Sequence, residues 1–221
     1  MSRPPLSEAQ EDYLKQLFLL EEGEEPVSTQ ALAERIGVRP ASVSGMLRKL
    51  TEAGLIEHVP YHGARLTPQG RRIALELLRH HRLLEAYLVH LLGYLWDEVH
   101  EEAERLEHTI SETFEARIAQ LLQEPSYDPH GDPIPGPDLE LPSTLGLPLP
   151  QLPPGTQARL TRVTAQDRDT LHLLDRLGLV PGSHLKVLEV SGGDVRLLLG
   201  AERFLIPRIL AQALWALPEE A

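Results

Sequence analysis

About half of the 19 prolines in this 221-residue chain fall between Glu124 and Gly155, and that run limits what the chain can fold into. Proline fixes φ and removes a backbone donor, so neither a regular helix nor a central strand continues through such a stretch. The segment is expected to be an extended, largely irregular connector. Apolar residues before it recur at helical spacing, whereas those after it lie in short strand-like runs. The expected fold class is therefore mainly α with a small β part at the C-terminal end.

Start and stop signals divide the first part into helices. Ser7 followed by Gln10 is a capping box ahead of Tyr13, Leu14, Leu17 and Phe18, and Gly23 is expected to end that helix. Ser28 caps a helix running to Ile36, and Gly37 supplies a left-handed stop. Pro40 suits a first turn, and Val43, Met46, Leu47 and Leu50 form the buried stripe of a third helix ending at Gly54. Two short helices and a three-residue connection make a helix-turn-helix. Residues 55–59 and 64–67 are strand candidates around the turn Tyr61-His62-Gly63, which is expected to be a wing.

Thr67-Pro68 opens a long helix expected to reach about Leu92, with Gly93 closing it and Asp97 capping the next helix. That helix contains His100, Glu104, Glu107 and His108, whose three- and four-residue steps share one face. Upstream, His81 and Glu85 stand at i and i+4. An acidic helix face alone is commonly just solvated; two such constellations on successive helices point to metal binding. Ser111 restarts a helix containing Phe114, Ile118, Leu121 and Leu122, and Pro125 ends it. These apolar faces lack an obvious partner inside so small a domain, so a homodimer is expected.

Beyond the connector, residues 158–163, 185–190, 195–199 and 203–206 are predicted strands, with a short helix near Asp169 to Leu177. A small SH3-like β-barrel is expected. The domain boundaries expected are 1–72 for the winged helix-turn-helix and 73–125 for the helical dimerisation and metal-binding domain. The Pro-rich linker takes 126–156 and the SH3-like domain 157–221.

The net charge of −12 argues against DNA as a partner only while it is averaged over the chain. Residues 35–72 carry about +5 and residues 97–124 about −7, so one region suits phosphate and the other cations. Cysteine is absent, which leaves oxygen and imidazole as the ligands for any metal. No stretch approaches 18 apolar residues and the start lacks a signal-like core. A cytoplasmic protein without membrane contact is expected.

On these residues, and on the linker sequence Pro129-His130-Gly131-Asp132-Pro133-Ile134-Pro135, nearly the whole chain resembles the diphtheria toxin repressor and manganese transport regulator family of metal-dependent transcriptional regulators. The resemblance implies one metal site formed by Asp12, Glu104, Glu107 and His108. It implies a second, ancillary site formed by His81, Glu85 and His100 and completed by Gln166 and Asp169 of the SH3-like domain. Iron-responsive members tend to carry Met and Cys where this chain has Asp12 and Glu104, so the resemblance favours Mn²⁺, with Fe²⁺ as the alternative. Lys15 stands where a closely spaced two-manganese variant carries a carboxylate, which counts against that arrangement here.

The function expected is metal-dependent DNA binding without catalysis; the resemblance implies two metal sites per subunit and repression of metal-uptake genes when metal is bound. A dimer places two recognition helices about 34 Å apart, so a double-stranded operator with an inverted repeat is expected. Pro40, Ala41, Ser42, Ser44 and Gly45 are placed towards bases. Arg39, Arg48 and Lys49 are placed towards phosphates, and His62 and Arg65 of the wing towards the backbone or minor groove. Two rivals are a winged-helix regulator with an organic effector and a His/Glu metalloenzyme. The latter leaves the basic helix-turn-helix without a purpose, and no small organic substrate is expected.

Overall fold

The structure, a computed structural model, describes residues 6–21, 25–59 and 62–219. The chain forms two compact units, one of residues up to His80 with Pro137–Glu140, the other of His81–Gly136 with the chain from Leu141 onward.

In the first unit, α1 (Glu8–Leu20), α2 (Thr29–Ile36) and α3 (Pro40–Glu52) precede the antiparallel pair β1 (Ile56–Val59) and β2 (Gly63–Leu66). Local signals act as expected: Ser7 and Gln10 form a reciprocal capping box, Ser28 accepts from Ala31 N–H, and Gly37 is left-handed at φ 75°. Gly23 and Tyr61, the expected helix end and wing tip, lie outside the described residues. Leu14, Leu17, Leu32, Val43, Leu47, Leu50 and Leu55 make the core. Val27 adds a third backbone partner to the wing, exchanging two 2.9 Å hydrogen bonds with Ala64. Glycine is required beside it, because a Cβ on Gly63 would lie 2.0 Å from the Val27 carbonyl oxygen. Glu21, the C-cap of α1, accepts from Leu66 N–H at 3.0 Å and pairs with Arg71, so one carboxylate ties α1 to the base of the wing.

The long helix α4 (Pro68–Leu92) starts at Thr67, whose hydroxyl accepts from Gly70 N–H at 3.1 Å. In the second unit, its C-terminal half packs with α5 (Val99–Leu106) and α6 (Glu112–Leu121) around Leu83, Leu84, Ala103, Ile118 and Ile134. Asp97 is not the cap of α5. Glu98 occupies that position, and the Asp97 carboxylate lies 2.9 Å from His172 Nδ1 instead.

Residues 126–136 are irregular, as their prolines require, yet closely held. Asp128 Oδ1 accepts from His130 N–H at 2.8 Å and Asp132 N–H at 2.9 Å. The buried Arg82 donates to the Pro133 carbonyl at 2.5 Å and lies 3.7 Å from both Asp128 and Asp132. Gly131, at φ 83°, passes so near the chain at Thr161 that a Cβ would meet its carbonyl oxygen at 1.9 Å.

The C-terminal part is one antiparallel sheet in the order β3-β8-β4-β5-β6-β7. Its strands are β3 (Leu147–Pro148), β4 (Gln157–Val163), β5 (His184–Ser191), β6 (Asp194–Leu199), β7 (Glu202–Ile206) and β8 (Leu214–Pro218), with α7 (Arg168–Leu177) and α8 (Arg208–Ala213). Among the described residues no strand pairing joins β3 to β7, so the SH3-like β-barrel expected is here an open sheet. Leu160, Leu171, Leu174, Val187 and Leu197 fill its core. Among the described residues no helix is long and apolar enough to cross a membrane.

Candidate metal centre and nucleic-acid surface

One turn of α4 separates His81 from Glu85, and α5 brings His100 against both. His81 Nε2, His100 Nδ1 and Glu85 Oε1 form a triangle with all three edges at 3.0 Å. Ligands at right angles around a cation, with bonds of about 2.1 Å, stand about 3.0 Å apart, whereas tetrahedral ligands stand about 3.4 Å apart. The triangle therefore has the dimensions of one face of an octahedron. Hydrogen bonding alone satisfies it poorly: both imidazole nitrogens can face the carboxylate oxygen, but then they also face each other. The donor set fits a divalent cation.

An oxygen stands on the far side of each imidazole, within hydrogen-bond distance in the case of His81. Glu107, the C-cap of α5, places Oε2 2.6 Å from His81 Nδ1, so with a cation bound Nδ1–H would donate to Glu107 and the Nε2 lone pair would face the triangle. Glu104 Oε1 lies 3.5 Å from His100 Nε2. Burial pushes the Glu85 carboxyl up, but His81 and the hydrogen bonds from His100, His130 and His81 outweigh it and hold it well below the usual carboxylate range. Glu85 is thus ionised and ready to bind a cation.

The buried segment 126–136 supplies a further group that the sequence pattern did not mark as a ligand. His130 Nδ1 lies 3.5 Å from Glu85 Oε2, and Asp128 stands within the same cluster. Burial alone would lower the His130 imidazolium, but Glu85, Asp128 and the Trp96 carbonyl raise it to about 9. Burial, with Asp132 and Glu85 nearby, pushes Asp128 up to about 8. The histidine within Pro129-His130-Gly131 was the available signal, hidden because the surrounding prolines suggested only a linker.

The other expected ligands are distributed as follows. Glu107 is buried, and its Oε1 lies 3.6 Å from His108 Nε2. Glu104 is half exposed on α5. Asp12 is half-buried on α1. Gln166 and Asp169 are both exposed at the start of α7, and Asp169 belongs to none of the groups that could share an ion among the described residues.

On the first unit, Val43, Leu47 and Leu50 bury one side of α3 and leave the opposite side in solvent. Arg39, Pro40, Ala41, Ser42, Ser44, Gly45, Arg48 and Lys49 are all exposed there, as are His62 and Arg65 at the wing. The Ser44 hydroxyl donates back to the Pro40 carbonyl at 3.0 Å, which leaves its lone pairs outward. A cationic, small-residue helix face beside a wing is suited to a DNA major groove.

A winged helix with a basic face, carried in one chain with a His/Glu cradle for a divalent cation, defines a metal-dependent DNA-binding regulator. Comparison with known proteins agrees along the chain. Residues 5–64 match the iron dependent repressor N-terminal DNA binding domain, residues 67–136 the iron dependent repressor metal binding and dimerisation domain, and residues 147–217 the FeoA domain. The iron-dependent repressor IdeR of Mycobacterium leprae is 32% identical over 222 residues, covering 94% of this chain and 96% of that protein. The diphtheria toxin repressor of Corynebacterium diphtheriae is 35% identical over 134 residues, 60% of this chain and 59% of that one. A solved manganese-dependent transcriptional repressor in complex with manganese superposes with a TM-score of 0.86 at 39% identity, over 95% of this chain and 100% of that chain. The chain belongs to the iron-dependent repressor family, and it is a metal-dependent transcriptional repressor rather than an enzyme.

Proposed function

We propose that this protein is a manganese-responsive repressor of metal-uptake genes with two metal sites per subunit. The observation that carries this reading is the 3.0 Å triangle of His81, Glu85 and His100, an octahedral nitrogen and oxygen face in a chain with no cysteine. The carboxylate oxygen in octahedral array suits Mn²⁺, imidazole is a borderline donor that accepts it, and the absence of sulfur removes the donor that would favour softer metals. His130 adds a fourth donor beside Glu85.

Asp12, Glu104, Glu107 and His108 form the other site in this reading, as the family resemblance implies. When bound there, the cation supplies positive charge that offsets the mutual repulsion of the three carboxylates. Asp12 then holds α1, and with it the DNA-binding unit, in the conformation competent for the operator. The exposed apolar residues Leu91 and Leu92 at the end of α4, Leu95 after it, and Phe114 and Leu121 on α6 are assigned to a homodimer interface. Two α3 helices then address an inverted repeat.

Fluorescence anisotropy of a labelled fragment from the protein's own promoter tests the reading, with chelator and then with buffered Mn²⁺ or anaerobic Fe²⁺. Tight binding with Mn²⁺ at lower free concentration than Fe²⁺, lost in Glu85→Gln and Glu107→Gln, is expected. A stronger response to Fe²⁺ replaces manganese with iron as the signal, and equal binding with chelator overturns metal control by these sites.

A further inference from the structure

Trp96 lies in the loop between α4 and α5 and faces the cation cluster and the C-terminal domain at once. Its carbonyl oxygen accepts from His130 Nε2 at 2.8 Å, and its indole packs obliquely on the His130 ring, with centroids 5.4 Å apart and planes at 40°. On the other side the indole packs against the core of the open sheet, and its Nε1–H donates to Asp175 Oδ1 at 2.8 Å. The two residues that follow reach the same helix, Asp97 to His172 at 2.9 Å and Glu98 to Arg168. Arg168, His172 and Asp175 stand at i, i+4 and i+7, one stripe of α7. Leu171 and Leu174 are buried in the domain core. The stripe is therefore a docking face, and loop 96–98 is what it docks on.

We propose that Trp96 is a positioning residue through which the C-terminal domain sets the second metal site, by holding His130 in the tautomer and ring orientation that direct Nδ1 at Glu85. The inference rests on the reading of Glu85 and His130 as ligands. Donation from Nε2–H to the Trp96 carbonyl leaves Nδ1 as the coordinating nitrogen, and fixing the outer nitrogen of a ligand imidazole governs affinity. The carbonyl can do this only while the loop is in place, and the loop is held by α7. Coupling of this kind is reciprocal: docking of α7 strengthens cation binding, and a bound cation strengthens docking of α7 by the same factor. The domain thereby influences the site through loop 96–98, by a route separate from any ligand it contributes itself.

The test uses full-length protein and Mn²⁺ alone, with calorimetry and metal analysis for stoichiometry and affinity, and hydrogen exchange of α7 with and without the metal. Trp96→Phe keeps the ring and the backbone carbonyl but removes the indole N–H, and Asp175→Ala removes its acceptor; neither residue is a ligand. Expected in both variants is a roughly ten-fold weaker second Mn²⁺, the lower end of what one hydrogen bond to a charged group contributes, with the first unaffected. The wild type is expected to gain exchange protection in α7 on loading the second site, and the variants to lose that gain. Unchanged second-site affinity in both variants, with two ions bound by wild type, overturns the role of Trp96. A wild type that binds one ion whether or not Glu85 is replaced by Gln overturns the second site itself, and with it this inference.

Discussion

Oε2 of Glu107 lies 2.6 Å from Nδ1 of His81, with both side chains buried, so the carboxylate that closes α5 also orients an imidazole on α4. Its second oxygen lies 3.6 Å from His108. Glu107 thus belongs to the surroundings of both proposed metal sites. Glu107→Gln is expected to weaken both ions, each by about 10–100-fold, the usual effect of removing a partner that orients a metal ligand or of removing a ligand. Calorimetric titration that finds only one of two Mn²⁺ affinities altered contradicts the shared role.

Gly131→Ala places a Cβ 1.9 Å from the Thr161 carbonyl oxygen at a residue with φ 83°. The backbone on both sides must shift, which costs about 2 kcal/mol or more. His130 moves with it, so thermal stability and occupancy of the second site should fall together. A variant melting within a degree of the parent contradicts the close approach.

Arg48 is exposed on α3 with a 3.9 Å pairing to Glu52, and its predicted partner is phosphate. Arg48→Ala should weaken binding equally for all operator sequences and lower the slope of log K against log salt by about one. Ser42→Ala, at the base-facing end of α3, should instead alter preference among operators. Anisotropy across a set of single-base changes and salt concentrations separates the two effects.

Asp167 caps α7 by accepting from Thr170 N–H at 2.9 Å, and the Thr170 hydroxyl and backbone N–H hold its carboxyl below the usual range. A lowered folded-state pKa contributes stability that is complete above the unfolded value, about 3.9, and is lost as pH falls through the folded value. Asp167→Ala should therefore loosen α7 most above pH ~4, and the difference from wild type should shrink as the pH drops further. Hydrogen exchange at residues 168–171 follows this, and a pH-independent difference contradicts it.

The parts legible in the sequence were those set by short-range chemistry. The Ser7 and Gln10 capping box, the Ser28 cap, the left-handed Gly37 and Pro40 at a first turn fix the helix-turn-helix within a few residues each. Helical spacing alone paired His81 with Glu85, and α5 brought His100 to them. Asp97 was misplaced because a carboxylate before a helix resembles a cap, and only tertiary packing shows that His172 takes it. His130 was missed for a related reason: proline composition reports the absence of regular structure, not the absence of burial. Residues 208–218, a short helix and a strand, carry too few periods of either pattern to stand out.

The grip of Arg82 on Asp128, Asp132 and the Pro133 carbonyl makes this stretch of chain a ruler rather than a tether. A flexible joint tolerates changes in length, because its ends simply sample more or less space. Here one residue gained or lost between 128 and 133 puts an acidic side chain out of phase with a buried guanidinium and moves His130 off Glu85. Insertions and deletions in natural variants should therefore avoid these six positions, even though by composition they resemble the most dispensable part of the molecule.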